Sequence, residues 1–202
     1  MGIREIHSPS PQWRAGACLF VLFFLALFTP YRVGATPSFA EEYQLKAVFL
    51  YNFANFIHWP PSVFEDEQTP FSICLLGDDP FGLQLEAAIE DQQARGRNLV
   101  VHRLAHWLEV SDCHILFISD SQQQYFADIY QFTCRYPILT VAEHDRFIES
   151  GGMIRFFNSN KRVRLEINPN AIDQTGLKAD ANLLNLSKIT RSALAACSEN
   201  LP

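Results

Sequence analysis

What this chain lacks narrows its chemistry before any motif is found. No Gly-x-Ser-x-Gly elbow surrounds Ser119 or Ser121, so the exposed nucleophile of a hydrolase is missing. No Cys-x-x-Cys and no Cys/His spacing of zinc type occurs, and a metal centre is not expected. The glycine-rich phosphate cradle of nucleotide enzymes is absent as well. The first strand-to-helix turn reads Gly77-Asp78-Asp79, which sets carboxylates where a phosphate would sit. Basic residues are outnumbered, 16 Lys and Arg against 22 Asp and Glu, for a net charge of -6. That balance disfavours nucleic acid and an anionic membrane surface as partners. Internal repeats, low-complexity stretches and domain linkers are also absent. At 202 residues and 48% hydrophobic composition, the chain is sized for one domain with a single sizeable core.

Long apolar runs are missing too. The longest, AGACLFVLFFLALF from 15 to 28, is about 14 residues, where a bilayer span needs ~20. Arg4 and Arg14 precede it and Val33-Gly34-Ala35 follows, which is the layout of a secretory leader. Residues 1–35 are therefore expected to be a cleaved signal peptide, ending at Ala35 or Ala40, with an uncleaved anchor as the alternative. Residues 36–202 form the single expected domain. Cleavage removes Arg4, Arg14, Arg32 and Glu5, so the formal charge moves from -6 to -8. It also removes Cys18 and leaves an even set: Cys74, Cys113, Cys134 and Cys197. In an oxidising compartment four cysteines imply two disulfides, with three connectivities open.

What is present is an alternation of periods. Residues 41–58 carry acids in the first turn and apolar side chains at helical intervals, namely Leu45, Val48, Phe49, Phe53, Phe56 and Ile57. Phe49, Phe53 and Phe56 are expected to pack on a sheet, with Tyr51, Asn52, Asn55 and His58 on other faces. Tyr51, His58 and Trp59 are candidates to border a homodimer or partner contact. Short apolar runs FSICLLG (71–77), NLVVHRL (98–104), HILFIS (114–119) and PILTV (137–141) read as strands. Helices fall between them: one capped by Asp79 with Pro80 at its first position, one in SDSQQQYFADIYQF, and a short one near residues 144–150. The fold class is α/β, a compact, largely parallel sheet with helices on both faces.

The C-terminal part changes pattern. GGMIRFFNSNKRVRLEINP reads as a β-hairpin turning at residues 158–161, followed by a last helix capped by Asn168 or Asn170 and interrupted near Gly176. Along the hairpin, Val163, Leu165 and Ile167 alternate with Arg162, Arg164, Glu166 and Asn168, while Ile154 and Phe156 alternate with Arg155 and Phe157. An aromatic beside arginines on a wet strand face has the make-up of an interface anchor. Arg155, Phe157, Arg164 and Glu166 are accordingly the candidate partner-binding residues. The rival site is a small-molecule pocket at the strand ends, where Asp78, Asp120, Glu143 and His144 would converge. No catalytic residue, metal or cofactor is expected.

The succession EYQLKAVFLYNFANFIHWP, FSICLLGDDPFG, CHILFIS, PILTV, GGMIRFFNSNKRVRLEIN and GLKADANLLNLSKI closely resembles the YfiR-like family over about residues 40–190. The resemblance implies a Rossmann-like fold without the dinucleotide fingerprint and a periplasmic location. It also implies a non-enzymatic role: repression of an inner-membrane diguanylate cyclase through its periplasmic domain, with an outer-membrane lipoprotein as a second partner. It further implies a disulfide between Cys74 and Cys113. Both lie at the edges of runs expected to be neighbouring strands, where a Cα separation near ~5.5 Å is attainable. The family's second, short-range cysteine pair has no counterpart here, which leaves Cys134 and Cys197 for a long-range bridge.

Overall fold

Ser38 caps the first described helix. Its hydroxyl accepts a hydrogen bond from the Glu41 backbone N–H at 3.3 Å, and the Glu41 carboxylate accepts one from the Ser38 N–H at 2.7 Å. This reciprocal cap starts helix α1, Phe39–Phe56. The computed structural model describes residues 38–192 together with Gly2 and Cys197. The expected leader over residues 1–35 lies outside the described residues apart from Gly2.

Ten strands follow or interleave with five α-helices among the described residues. They are β1 (Ile57–His58), β2 (Phe71–Leu76), α2 (Gln84–Ile89), β3 (Gln93–Ala94), β4 (Arg97–Leu104), β5 (Ile115–Ile118), α3 (Phe126–Thr133), β6 (Leu139–Ala142), β7 (Ile154–Ser159), β8 (Arg162–Ile167), α4 (Pro169–Gln174), β9 (Lys178–Ala179), α5 (Ala181–Asn185) and β10 (Lys188–Ile189). Eight of the strands form one sheet in the order β10-β8-β7-β6-β5-β2-β4-β3, and β1 pairs with β9 in a separate two-stranded ladder. Strands β4, β2, β5, β6 and β7 run parallel. Both flanks hold antiparallel pairings, β7 with β8 and β4 with β3. The α/β class stands, but the sheet is mixed where a largely parallel one was expected. Tight turns make the difference. Asn160 and Lys161 at φ 52° and 60°, like Arg95 and Gly96 at 54° and 79°, have the left-handed backbone that folds a chain straight back on itself.

The strands explain their own composition. β2 is buried at every residue, as a central parallel strand covered on both faces must be. Alternate side chains feed two cores. Ile73, Leu75, Phe117 and Val141 pack with α1 and α4, while Cys74, Leu76, Leu116 and Ile118 pack with Val110, Phe126, Ile129 and Phe147.

Three expected elements differ, the first being α2, which begins at Gln84 and not beside Asp79; the Asp79 carboxylate instead accepts from the Phe81 and Gly82 N–H groups at 2.8 and 3.2 Å. Helix α1 buries Tyr43, Ala47, Leu50, Phe53 and Ala54, while Leu45, Val48 and Phe56 stay exposed. Phe53 is fully buried and Phe49 packs against the core as expected, but Ala47 and Ala54 share that inner face and Phe56 is left at its edge. Residues 144–150 make hydrogen-bonded turns without becoming a helix. They end at Gly151, φ 95°, where a Cβ would lie 2.4 Å from the Tyr130 ring. The last helix is interrupted as expected, into α4 and α5, although Asn168 precedes α4 without a side-chain capping bond. Gly176, φ 80°, breaks it, and Asp180 restarts it by accepting from the Asn182 N–H at 2.7 Å.

Candidate functional site

The carboxyl ends of parallel strands are where α/β folds usually place ligands. Here they open on a polar cavity of about 350 Å³ lined by Glu42, Lys46, Asp120, Glu143, Asp145 and Arg155. Its cations are spoken for. The Lys46 ammonium, on a residue only 4% exposed, sits 2.5 Å from Glu42 and 2.7 Å from Glu143. The Tyr43 hydroxyl donates to Glu143 at 2.9 Å, and burial together with the Glu143 charge pushes its phenol up. Arg155 pairs with Asp145 and with Glu166. This network ties α1 to the ends of β6 and β7, and it answers internally the charges that a ligand would need. Of the rival ligand set, Asp120 and Glu143 line the cavity but Asp78 and His144 do not. Among the described residues no group of three or more His, Cys, Asp or Glu is placed to hold a metal ion.

The hairpin residues fall into two classes. Arg155 and Glu166, read as facing water, are buried: the guanidinium clasps the carboxylate at 2.8 Å through Nε and 2.6 Å through Nη2. The cause is β10, which pairs with Glu166 and Ile167 and brings Lys188 Nζ to 2.7 Å and Thr190 Oγ1 to 2.6 Å of the Glu166 carboxylate. Burial pushes this carboxyl up, but the hydrogen bonds from Lys188, Thr190 and Arg155 outweigh it and hold its pKa at about 2. Asn168, also expected to be wet, is fully buried and donates to Ser192 Oγ at 2.7 Å. Phe157 is half-buried with the Arg155 guanidinium 5.2 Å from its ring centre, and Arg164 is exposed. The alternation thus holds only in the outer half of the hairpin.

Sequence reasoning missed a second concavity. A groove of about 390 Å³ runs between α1, β8 and α5, with Val48, Phe49, Phe56, Val163, Leu165 and Leu186 among its walls and Arg164, Asn52 and Asn182 as its polar lining. Leu186 is 79% exposed, and Val48 and Phe56 are each 36% exposed. Next to the groove the hairpin carries Lys161, Arg162 and Arg164, all exposed, and none of their side chains makes an ion pair or hydrogen bond among the described residues. The signal was in the sequence: three cations within four positions of an acidic chain.

The cysteines meet in pairs. Cys74 and Cys113 are bridged with Cα atoms 5.8 Å apart, and Cys134 and Cys197 with Cα atoms 6.1 Å apart. The first joins β2 to the residue ahead of β5 inside the second core. His114 has a structural role. It is stacked between Phe64 and Phe71 at 4.6 and 4.7 Å, and its Nδ1 accepts from the Ser72 N–H at 3.0 Å. Burial, with the Arg97 charge, lowers its pKa to about 4. The aromatic stretch at 51–60 serves the core and the end of α1. Trp59 is buried against Phe71 at 4.8 Å, and the Arg95 guanidinium takes the carbonyls of Ala54, Asn55 and Ile57 while lying 3.2 Å from His58 Nδ1.

No curated protein matches the chain. Residues 43–188, from the first turns of α1 to the start of β10, match the sequence pattern of the YfiR/HmsC-like family. With a mixed α/β sheet, two disulfides and a match over most of its length, the chain belongs to the YfiR/HmsC-like family.

Proposed function

We propose that the chain is a non-catalytic periplasmic regulator that binds the external domain of an inner-membrane diguanylate cyclase and lowers cyclic-di-GMP synthesis. One observation carries the reading. The charges of the strand-end cavity are consumed by internal pairs, whereas the hairpin presents unpaired cations beside an exposed apolar groove. Spare charge around apolar anchors is the composition of a protein interface. Phe157 and Arg164 lie on this surface; Arg155 and Glu166 support it from beneath by fixing β7 to β8. The proposed partners, a membrane cyclase and an outer-membrane lipoprotein that sequesters the regulator from it, are those that the resemblance to the YfiR-like family implies. Two disulfides fit an oxidising compartment, and among the described residues no helix is long and apolar enough to cross a membrane.

The test is capture from membrane extracts on the oxidised mature chain, residues 36–202, followed by mass spectrometry. A membrane protein carrying a cyclase domain is expected on the wild type and is expected to be lost from Leu186→Ser at an unchanged melting temperature. Retention of no such protein overturns the reading, and stabilisation by a metabolite in its place would make the chain a ligand sensor.

A further inference from the structure

Strand β8 is covered unevenly on its outer side. β10 pairs only with Glu166 and Ile167, so Arg162–Leu165 have no strand pairing there among the described residues. Backbone groups alternate sides along a strand. Ile167 O accepts from the Thr190 N–H on the outer side at 2.9 Å, and the Asn168 N–H donates to Met153 O on the β7 side at 2.8 Å. By that alternation the N–H and C=O of Val163 point to the open side. The apolar groove lies against this same edge, with Val163 and Leu165 in its wall. By the alternation of side chains Arg162 and Arg164 leave the strand on the face opposite Val163 and Leu165, with unpaired side chains next to Lys161, and Arg164 also borders the groove.

We infer that the open edge of β8 is a docking strand for an extended segment of the protein partner in which acidic side chains alternate with apolar ones. The inference rests on the regulator reading above and specifies how the partner is held. An added strand would take up the backbone groups of Val163, place its apolar side chains in the groove, and set its acids over Arg162 and Arg164. Charged residues on an edge strand also serve to deter aggregation. That role alone does not account for the groove, since a protected edge would not carry Val48, Phe56 and Leu186 exposed beside it. A second copy of the chain is a poor occupant, because edge-to-edge pairing would oppose Lys161, Arg162 and Arg164 with the same cations.

The experiment titrates the isolated periplasmic domain of the captured cyclase into the mature chain and into two variants. Val163→Pro removes one outward N–H and spares the β7 ladder, which uses Arg162 and Arg164. Loss of one backbone hydrogen bond and of strand register should weaken binding about tenfold. Arg162→Glu with Arg164→Glu should weaken it about tenfold or more and reverse the salt dependence expected of the wild type, because salt screens the new repulsion. Hydrogen exchange of the wild type should slow at Val163 on binding, a readout that stands even if Val163→Pro fails to fold. Wild-type affinity in both the proline and the charge variants, or unaltered exchange at Val163, would overturn the docking strand and leave the regulator reading in place. Absence of binding by the wild type would overturn both. Sedimentation showing wild-type dimers that Val163→Pro dissociates would assign the edge to a second copy and overturn the acidic partner.

Discussion

Two concavities of nearly equal size, about 350 and 390 Å³, sit on this domain and use charge in opposite ways. At the strand ends, Lys46 and Arg155 are each held by two carboxylates and bolt α1 and the hairpin to the sheet. Along β8, Lys161, Arg162 and Arg164 are held by none. The charges at the customary ligand position of the fold are answered internally, and the proposed recognition surface is an edge that the fold itself does not nominate. Location within an α/β sheet is therefore a weaker guide to function than whether its charges are already answered.

The comparison can be broken most forcefully at Arg155. Arg155→Ala strands the buried Glu166 carboxylate without its clasp and should lower stability by about 3–5 kcal/mol, measured by urea unfolding. An effect below ~1 kcal/mol would mean that the network is ornamental. Removing the first bridge with Cys74→Ala and Cys113→Ala should cost about 2–4 kcal/mol, since it frees a loop of 39 residues in the unfolded chain.

Acid should separate the paired groups by pH. His114 is lowered from 6.5 to about 4, so the unfolded chain takes up its proton first; stability is full above pH 6.5 and falls as pH drops towards 4. Glu166 is lowered from 4.5 to about 2, so its contribution is full above pH 4.5 and is lost towards pH 2. Unfolding midpoints followed from pH 7 downward should decline in these two windows, and His114→Gln should flatten the first. The smallest stability effect belongs to the groove. Leu186→Ser should shift unfolding by no more than ~0.5 kcal/mol, because the side chain is already in water. A larger loss would make the groove part of the core and erase the contrast.

Much of this architecture was legible. Strands β2, β4, β5 and β6, the existence of helix α1 and the Asn160-Lys161 turn follow from period and turn chemistry alone. The helix face was legible at Phe53 but not at Ala47 and Ala54, which are fully buried although their small side chains carry little apolar signal. Strands of two residues, such as β9 and β10, carry no period to read. That blindness had a consequence at the candidate site. Glu166 looks wet in its own strand, and only β10, more than twenty positions later, buries it. Local pattern describes what a strand offers; distant chain decides which part of the offer remains open.

The central claim is that the chain restrains a cyclase through the β8 surface. Its most direct test is the cellular cyclic-di-GMP level in cells lacking the chain, complemented with the wild type or with Arg162→Glu and Arg164→Glu. The account predicts a rise on loss, reversal by the wild type, and no reversal by the charge variant exported at equal abundance. An unchanged level on loss, or full reversal by the variant, would contradict it.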